Sequence, residues 1–161
     1  MAQLDRSSLL ARYADAPRRL EEEVRALPVA ALAFRPNPDD WTATELVIHL
    51  ADNEMVDAIR VRMAIAESGV TIQRYDEARW ARELDYANDD VEDALLAFRV
   101  ARLRTHRLLG RLSDAAWERV YSLPEGGERS LADKLRGDVE HDDLHLRQLM
   151  ELRELVLIAT P

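Results

Sequence analysis

The sequence predicts an all-α fold, a four-helix bundle with crossover connections. Four stretches of about 20–27 residues carry apolar side chains at helical spacing, and β-branched alternation is nearly absent. The connectors between them are longer than the tight turns of a plain up-and-down bundle, which points to a crossover. At 161 residues and 18.4 kDa the chain reads as one domain, 1–161.

Residues 4–27 form the first expected helix, with Leu9, Tyr13, Leu20, Val24 and Leu27 on one face and Pro17 as a kink or restart. The stretch "LPVAALAFRPNPDD" follows, and its three prolines keep it from being one continuous helix. Thr42 and Glu45 then fit a capping box, with Trp41 and Leu46 as the accompanying hydrophobic staple. The second helix should run to about Glu67, where Gly69 ends it. A connector follows, with one short helix expected around Asp76–Leu84.

Asn88 is the expected cap of a third helix that continues to about Leu112. In the next connector "PEGGE" marks a turn, and "ERVYSL" before it can be extended. Ser130 with Asp133 opens the fourth helix, expected to reach Ile158.

Composition excludes several classes. The net charge of −9 argues against nucleic acid as the main partner, because phosphate binding needs a basic surface. The absence of cysteine removes disulfides, thiolate ligands and a cysteine nucleophile together. No stretch reaches the roughly 18 apolar residues of a membrane span, and the start "MAQLDRSSLL" lacks the pattern of a secretory signal. A cytoplasmic protein is the expectation.

The fourth helix poses the functional question, because "HDDLH" sets His141 and His145 four residues apart. Projected at 100° per residue, both fall within a stripe of Leu144, Leu149, Leu152, Leu155 and Val156, beside Gln148. Asp143, Arg147 and Met150 lie opposite. On the second helix, an arc of Trp41, Ile48, Met55, Val56, Ile59 and Met63 contains Glu45 and Asp52, with His49 at its edge. Imidazoles at i and i+4 can reach one metal ion, and a third from a facing helix leaves positions open for water or substrate. His49, His141 and His145 are therefore candidate ligands, and core histidines satisfied by ordinary hydrogen bonds are the alternative. His106, near Arg99 on the flank of the third helix, reads as a solvated surface residue.

The segment "RPNPDDWTATELVIHLADNE" resembles a signature of the DinB-like (DinB/YfiT) superfamily, and "GDVEHDDLHLRQL" resembles its second. The middle stretch "YDEARWARELDY…VEDALLAFRVARLRTHRLL" is similar too, so the likeness covers about residues 9 to 152. It implies a crossover four-helix bundle, often dimeric, with a three-histidine site for a divalent metal such as zinc or nickel. Matched motif by motif, the ligands are again His49, His141 and His145. It further implies a metal-dependent hydrolase or a transferase using a low-molecular-weight thiol, acting on a small molecule.

Such a site needs a proton acceptor or an orienting group nearby. Asp52, one turn after His49, is the candidate for either role. Arg102 is a candidate for binding an anionic substrate or for an ion pair with a helix carboxylate, and Trp80 for covering the pocket mouth or packing the connector. The protease motif His-Glu-x-x-His is not met, since position 142 is Asp142, expected to point away from the stripe. The competing reading is a non-catalytic module whose metal or polar cluster is structural, closed by Glu45 or Asp52 as fourth ligand. The apolar end "LRELVLIA" extends the core or docks a second subunit.

Overall fold

In the computed structural model, which describes residues 6–67 and 69–159, four long helices form the bundle. They are α1 (Arg6–Ala26), α3 (Ala43–Ala66), α5 (Val91–Leu109) and α7 (Leu131–Ala159). Short helices α2 (Val29–Leu32), α4 (Glu77–Glu83) and α6 (Asp114–Trp117) sit in the connections, with a 3-10 turn at Tyr86–Asn88. Strands β1 (Val120–Ser122) and β2 (Glu128–Ser130) form an antiparallel hairpin around the expected turn, where Gly126 and Gly127 take φ of 92° and 89°. Only glycine adopts such values without strain. The first two residues of the expected opening helix, 4 and 5, lie outside the described residues.

The predicted boundary chemistry is largely present. Thr42 Oγ1 accepts from the Glu45 amide (3.2 Å) and Glu45 returns a bond from the Thr42 amide (2.8 Å). Ser130 and Asp133 make the same reciprocal pair at the start of α7. The cap of α5, however, is Asp90 rather than Asn88: its carboxylate accepts from the Glu92 and Asp93 amides. Asn88 instead ends the 3-10 turn, and α5 stops at Leu109, short of Leu112. Pro17 neither breaks nor restarts α1. The carbonyl that its missing N–H would have used, that of Tyr13, is taken by the Arg102 guanidinium at 3.1 Å.

The core is split into two apolar clusters. One holds Leu20 and Val24 of α1, Leu46 and Leu50 of α3, Phe98 of α5 and Leu149 of α7. The other holds Leu9 and Tyr13, Val61 and Ala64, Leu109, and Leu131 and Leu135. Helices α1 and α7 therefore run from the second cluster to the first, while α3 and α5 run the other way. Parallel α3 and α5 are packed neighbours, so the chain between them must return along the whole bundle. That return is residues 67–90, which join the second cluster at Ile72 and the first at Ala81 and Tyr86. The expected crossover is this segment.

Between the clusters lies a belt of buried polar groups: His49, Glu54, Asp57, Arg102, Asp138, Asp142 and His145. It explains where the helical projection went wrong. Met55 and Ile59, assigned inward, are 44% and 60% exposed, and Leu144 and Leu155 also face out. Glu54 and Asp57 take the inward positions because Arg102 and Lys134 from neighbouring helices compensate them. His49, expected at the edge of its arc, is fully buried instead.

Candidate metal centre

Helices α3 and α7 bring the three predicted histidines to one point. His49 Nε2 lies 3.1 Å from His141 Nε2, which lies 3.0 Å from His145 Nε2. Among the described residues, the fold assembles this trio as its group of metal-capable side chains, with no carboxylate joining it. Trp41, from the turn before α3, walls it: its ring meets His49 edge-on at 4.8 Å and lies parallel to His145 at 6.5 Å.

Protonation decides what the trio can do. Burial pushes all three imidazoles down, His49 to about 3 and His141 and His145 to about 4, so the rings are neutral at pH 7. His145 Nδ1 donates to Gln148 Oε1 at 2.7 Å, which leaves its Nε2 with a bare lone pair. A single proton on His141 Nε2 would then have to be split between two contacts. A cation serves all three nitrogens, and two nitrogens at about 2.0–2.1 Å from one ion stand roughly 3.0–3.4 Å apart. The donor set therefore fits a divalent metal. The Nδ1 atoms of His49 and His141 are buried without a hydrogen-bond partner among the described residues.

Two cavities reach the trio from either side. One, of about 360 Å³, is bordered by Tyr75, Lys134, Asp138 and His141. The other, of about 490 Å³, is bordered by Trp41, Leu46, His145 and Gln148. Glu77, at the start of α4, lines both.

The remaining predicted site residues are elsewhere. Asp52 accepts from the Tyr86 hydroxyl at 2.5 Å and, among the described residues, makes no hydrogen bond to an imidazole, so it does not hold a ligand ring as the orienting role would require. Glu45 is held by the Thr42 amide and by Arg35 at 2.8 Å. Burial raises its pKa, but Arg35 and Thr42 outweigh that and keep it below the ordinary range. Neither carboxylate closes the site as a fourth ligand. His106 is half-buried between α1 and α5, away from the trio.

Of the two roles expected for Arg102, the structure shows the ion pair with helix carboxylates and not the substrate contact. Arg102 is 2% exposed, its Nε donates to Glu54 at 2.9 Å, and its two terminal nitrogens donate to Asp142 at 2.6 and 3.1 Å. Asp142 consequently points inward, the reverse of its expected direction, because α7 is enclosed at this level. Burial pushes the Glu54 carboxyl up to about 7, an effect that Arg102 and the Tyr13 hydroxyl only partly offset. Trp80 packs on the core and against Tyr75 (4.4 Å between ring centroids), and lines neither cavity at the histidines. Glu77, from the same short helix, is the residue that the sequence reading missed. No periodicity or motif marks it, since only the path of the crossover brings it there.

Residues 12–149 match the family model described as the DinB superfamily. A protein of Oceanobacillus iheyensis, named as a candidate metal-dependent hydrolase, is 33% identical over 138 residues, 86% of this chain and 80% of that one. YfiT from Bacillus subtilis, described as a candidate metal-dependent hydrolase with an unusual four-helix bundle topology, is similar with a TM-score of 0.89. That likeness covers 97% of this chain and 90% of YfiT at 24% identity. A mycothiol-dependent maleylpyruvate isomerase is similar with a TM-score of 0.71 at 14% identity, over 89% of this chain and 60% of the isomerase. At these identities the two structures speak for the fold.

Proposed function

The chain belongs to the DinB superfamily, and from that premise we propose that it is a metal-dependent hydrolase acting on a small molecule, with His49, His141 and His145 as the metal ligands. One observation carries the reading: two short contacts on a single ring nitrogen, His141 Nε2, in a trio whose protons cannot satisfy both. The naming of relatives such as the Oceanobacillus iheyensis protein supports the hydrolase class. Imidazole sets of this kind suit zinc or nickel.

When bound, a divalent cation supplies a Lewis acid that polarises a substrate carbonyl and acidifies water. The chain's own residues do the rest. Gln148 fixes the tautomer of His145 so that Nε2 faces the centre. Trp41 closes one side against solvent, and the two cavities leave room for a small substrate. Homodimerisation is part of the proposal and rests on the family likeness and on the exposed Leu155, Leu157 and Ile158 at the end of α7. A solution mass of 18.4 kDa by light scattering would remove it.

The test is metal analysis of protein purified without a polyhistidine tag, beside the His145→Ala variant. About one zinc or nickel ion per chain in the wild type and almost none in the variant is the expected result. Equal metal content in both would end the ligand assignment. A second reading, a thiol-dependent transferase, draws on the fold shared with the mycothiol-dependent isomerase. Stabilisation of the metal-loaded protein by low-molecular-weight thiols in a thermal-shift series would favour it over hydrolysis.

A further inference from the structure

We propose that Glu77 is the acid–base residue of the histidine site, its carboxylate exchanging protons with the ligand that lies between the two cavities. The proposal rests on the reading of the histidines as the metal centre and adds a proton-transfer group to it. Its first support is position. The crossover passes from one apolar cluster at Ile72 to the other at Ala81, and Glu77 lies midway, at the level of the polar belt. Glu77 is the one residue common to the cavity at His141 and the cavity at His145, whose Nε2 atoms are 3.0 Å apart. The Glu77 side chain is exposed to solvent and borders both openings that lead to the trio.

The second support is availability. The inner carboxylates are committed: Glu45 to Arg35, Asp52 to Tyr86, Glu54 and Asp142 to Arg102, Asp57 and Asp138 to Lys134. Glu77 makes no hydrogen bond or ion pair among the described residues. Asp39 and Glu151 are also unpaired, but they border only the cavity at His145. Partial desolvation raises the Glu77 carboxyl above its ordinary value, an effect that the Arg60 charge opposes.

The third support is anchorage, since a proton-transfer group must be held in place. The Asp76 carboxylate caps the Arg79 amide at 2.9 Å, fixing the first turn of α4. Tyr75 donates to Asn53 at 3.1 Å, and Arg60 donates to the Gln73 carbonyl at 2.6 Å. Trp80 closes the other side by packing on Tyr75 and the core. Both flanks of Glu77 are thus tied to the bundle while its own carboxylate is left free.

In hydrolysis, water is the co-reactant. Its oxygen forms the new bond to the substrate carbonyl carbon, Glu77 takes its proton, and the same proton passes to the leaving group as that bond breaks. The decisive variant is Glu77→Gln, which keeps the shape and removes the base. Zinc-loaded wild type and variant are compared for zinc content, for 4-nitrophenyl acetate turnover, and for acetohydroxamate binding by calorimetry. We expect equal zinc, ester turnover lower by about 10²–10⁴-fold, and hydroxamate affinity lower by about tenfold, because the ligand's acidic proton loses its acceptor. Acetate added to Glu77→Ala restores part of the turnover if the role is proton transfer. Equal hydroxamate affinity in Glu77→Gln and wild type would overturn the proposal, and this readout decides even where the ester is a poor substrate. With His145→Ala alone losing zinc, that result leaves the metal centre standing. A wild type that takes up no zinc would overturn both.

Discussion

Two polar clusters lie side by side in the middle of the bundle, and they differ in whether the protein satisfies them. Around Arg102, the guanidinium donates to Glu54, to both oxygens of Asp142 and to the Tyr13 carbonyl, and it stacks 3.8 Å over the Tyr13 ring. Around His141, one residue before Asp142 in the chain, the nearest contacts are imidazole nitrogens facing one another, two of them falling on the single atom His141 Nε2. Both clusters are buried and both would be costly if left open. The first is complete within the protein, so its polarity speaks only of structure. The second is complete only with something added, and that difference is what marks it as a site.

The comparison can be broken at either cluster. Arg102→Met leaves two buried carboxylates without their cation and should lower unfolding stability by about 3–5 kcal/mol in urea denaturation. A loss below about 1 kcal/mol would mean that the cluster is not the self-contained unit described. His145→Ala should do the reverse, weakening zinc affinity by more than about 100-fold, beyond what losing an outer partner costs. The stability of its metal-free form should move by under about 1 kcal/mol, since no satisfied internal bond other than that to Gln148 is lost. Competitive titration against a zinc chelator, with denaturation of the metal-free protein, checks both halves.

Finer substitutions sharpen the contrast. Gln148→Leu removes the acceptor that sets the His145 tautomer, so zinc affinity should fall by about 10–100-fold with the fold intact. An unchanged affinity would show that the ring finds its tautomer unaided. The smallest effect is expected from Tyr13→Phe, which deletes the 2.8 Å bond to Glu54. It should cost about 1 kcal/mol of stability and leave zinc affinity within about twofold, because the two clusters share no hydrogen bond.

Much of this was legible in the chain. The capping pairs at Thr42 and Ser130 are local chemistry between residues three apart, so their reading needed no tertiary information. The trio was legible because four-residue spacing puts His141 and His145 on one face of α7 and the projection of α3 sets His49 beside its inward arc. Met55 and Ile59 misled the projection of α3, because apolar periodicity assumes that charges face water. That assumption fails where Arg102 and Lys134, both distant in sequence, bring counter-charges into the core. The same long-range pairing turned Asp142 inward and withdrew Arg102 from any substrate.

By itself the sequence determined the four long helices, the caps at Thr42 and Ser130 and the pairing of His141 with His145 on one helix face, because each of these depends on residues within a turn or two of one another. Tertiary structure alone decided that α3 and α5 run parallel, that the returning chain carries Glu77 past the histidines, and which buried charges found partners. Those outcomes depend on which helices become neighbours, and short-range spacing contains no record of that.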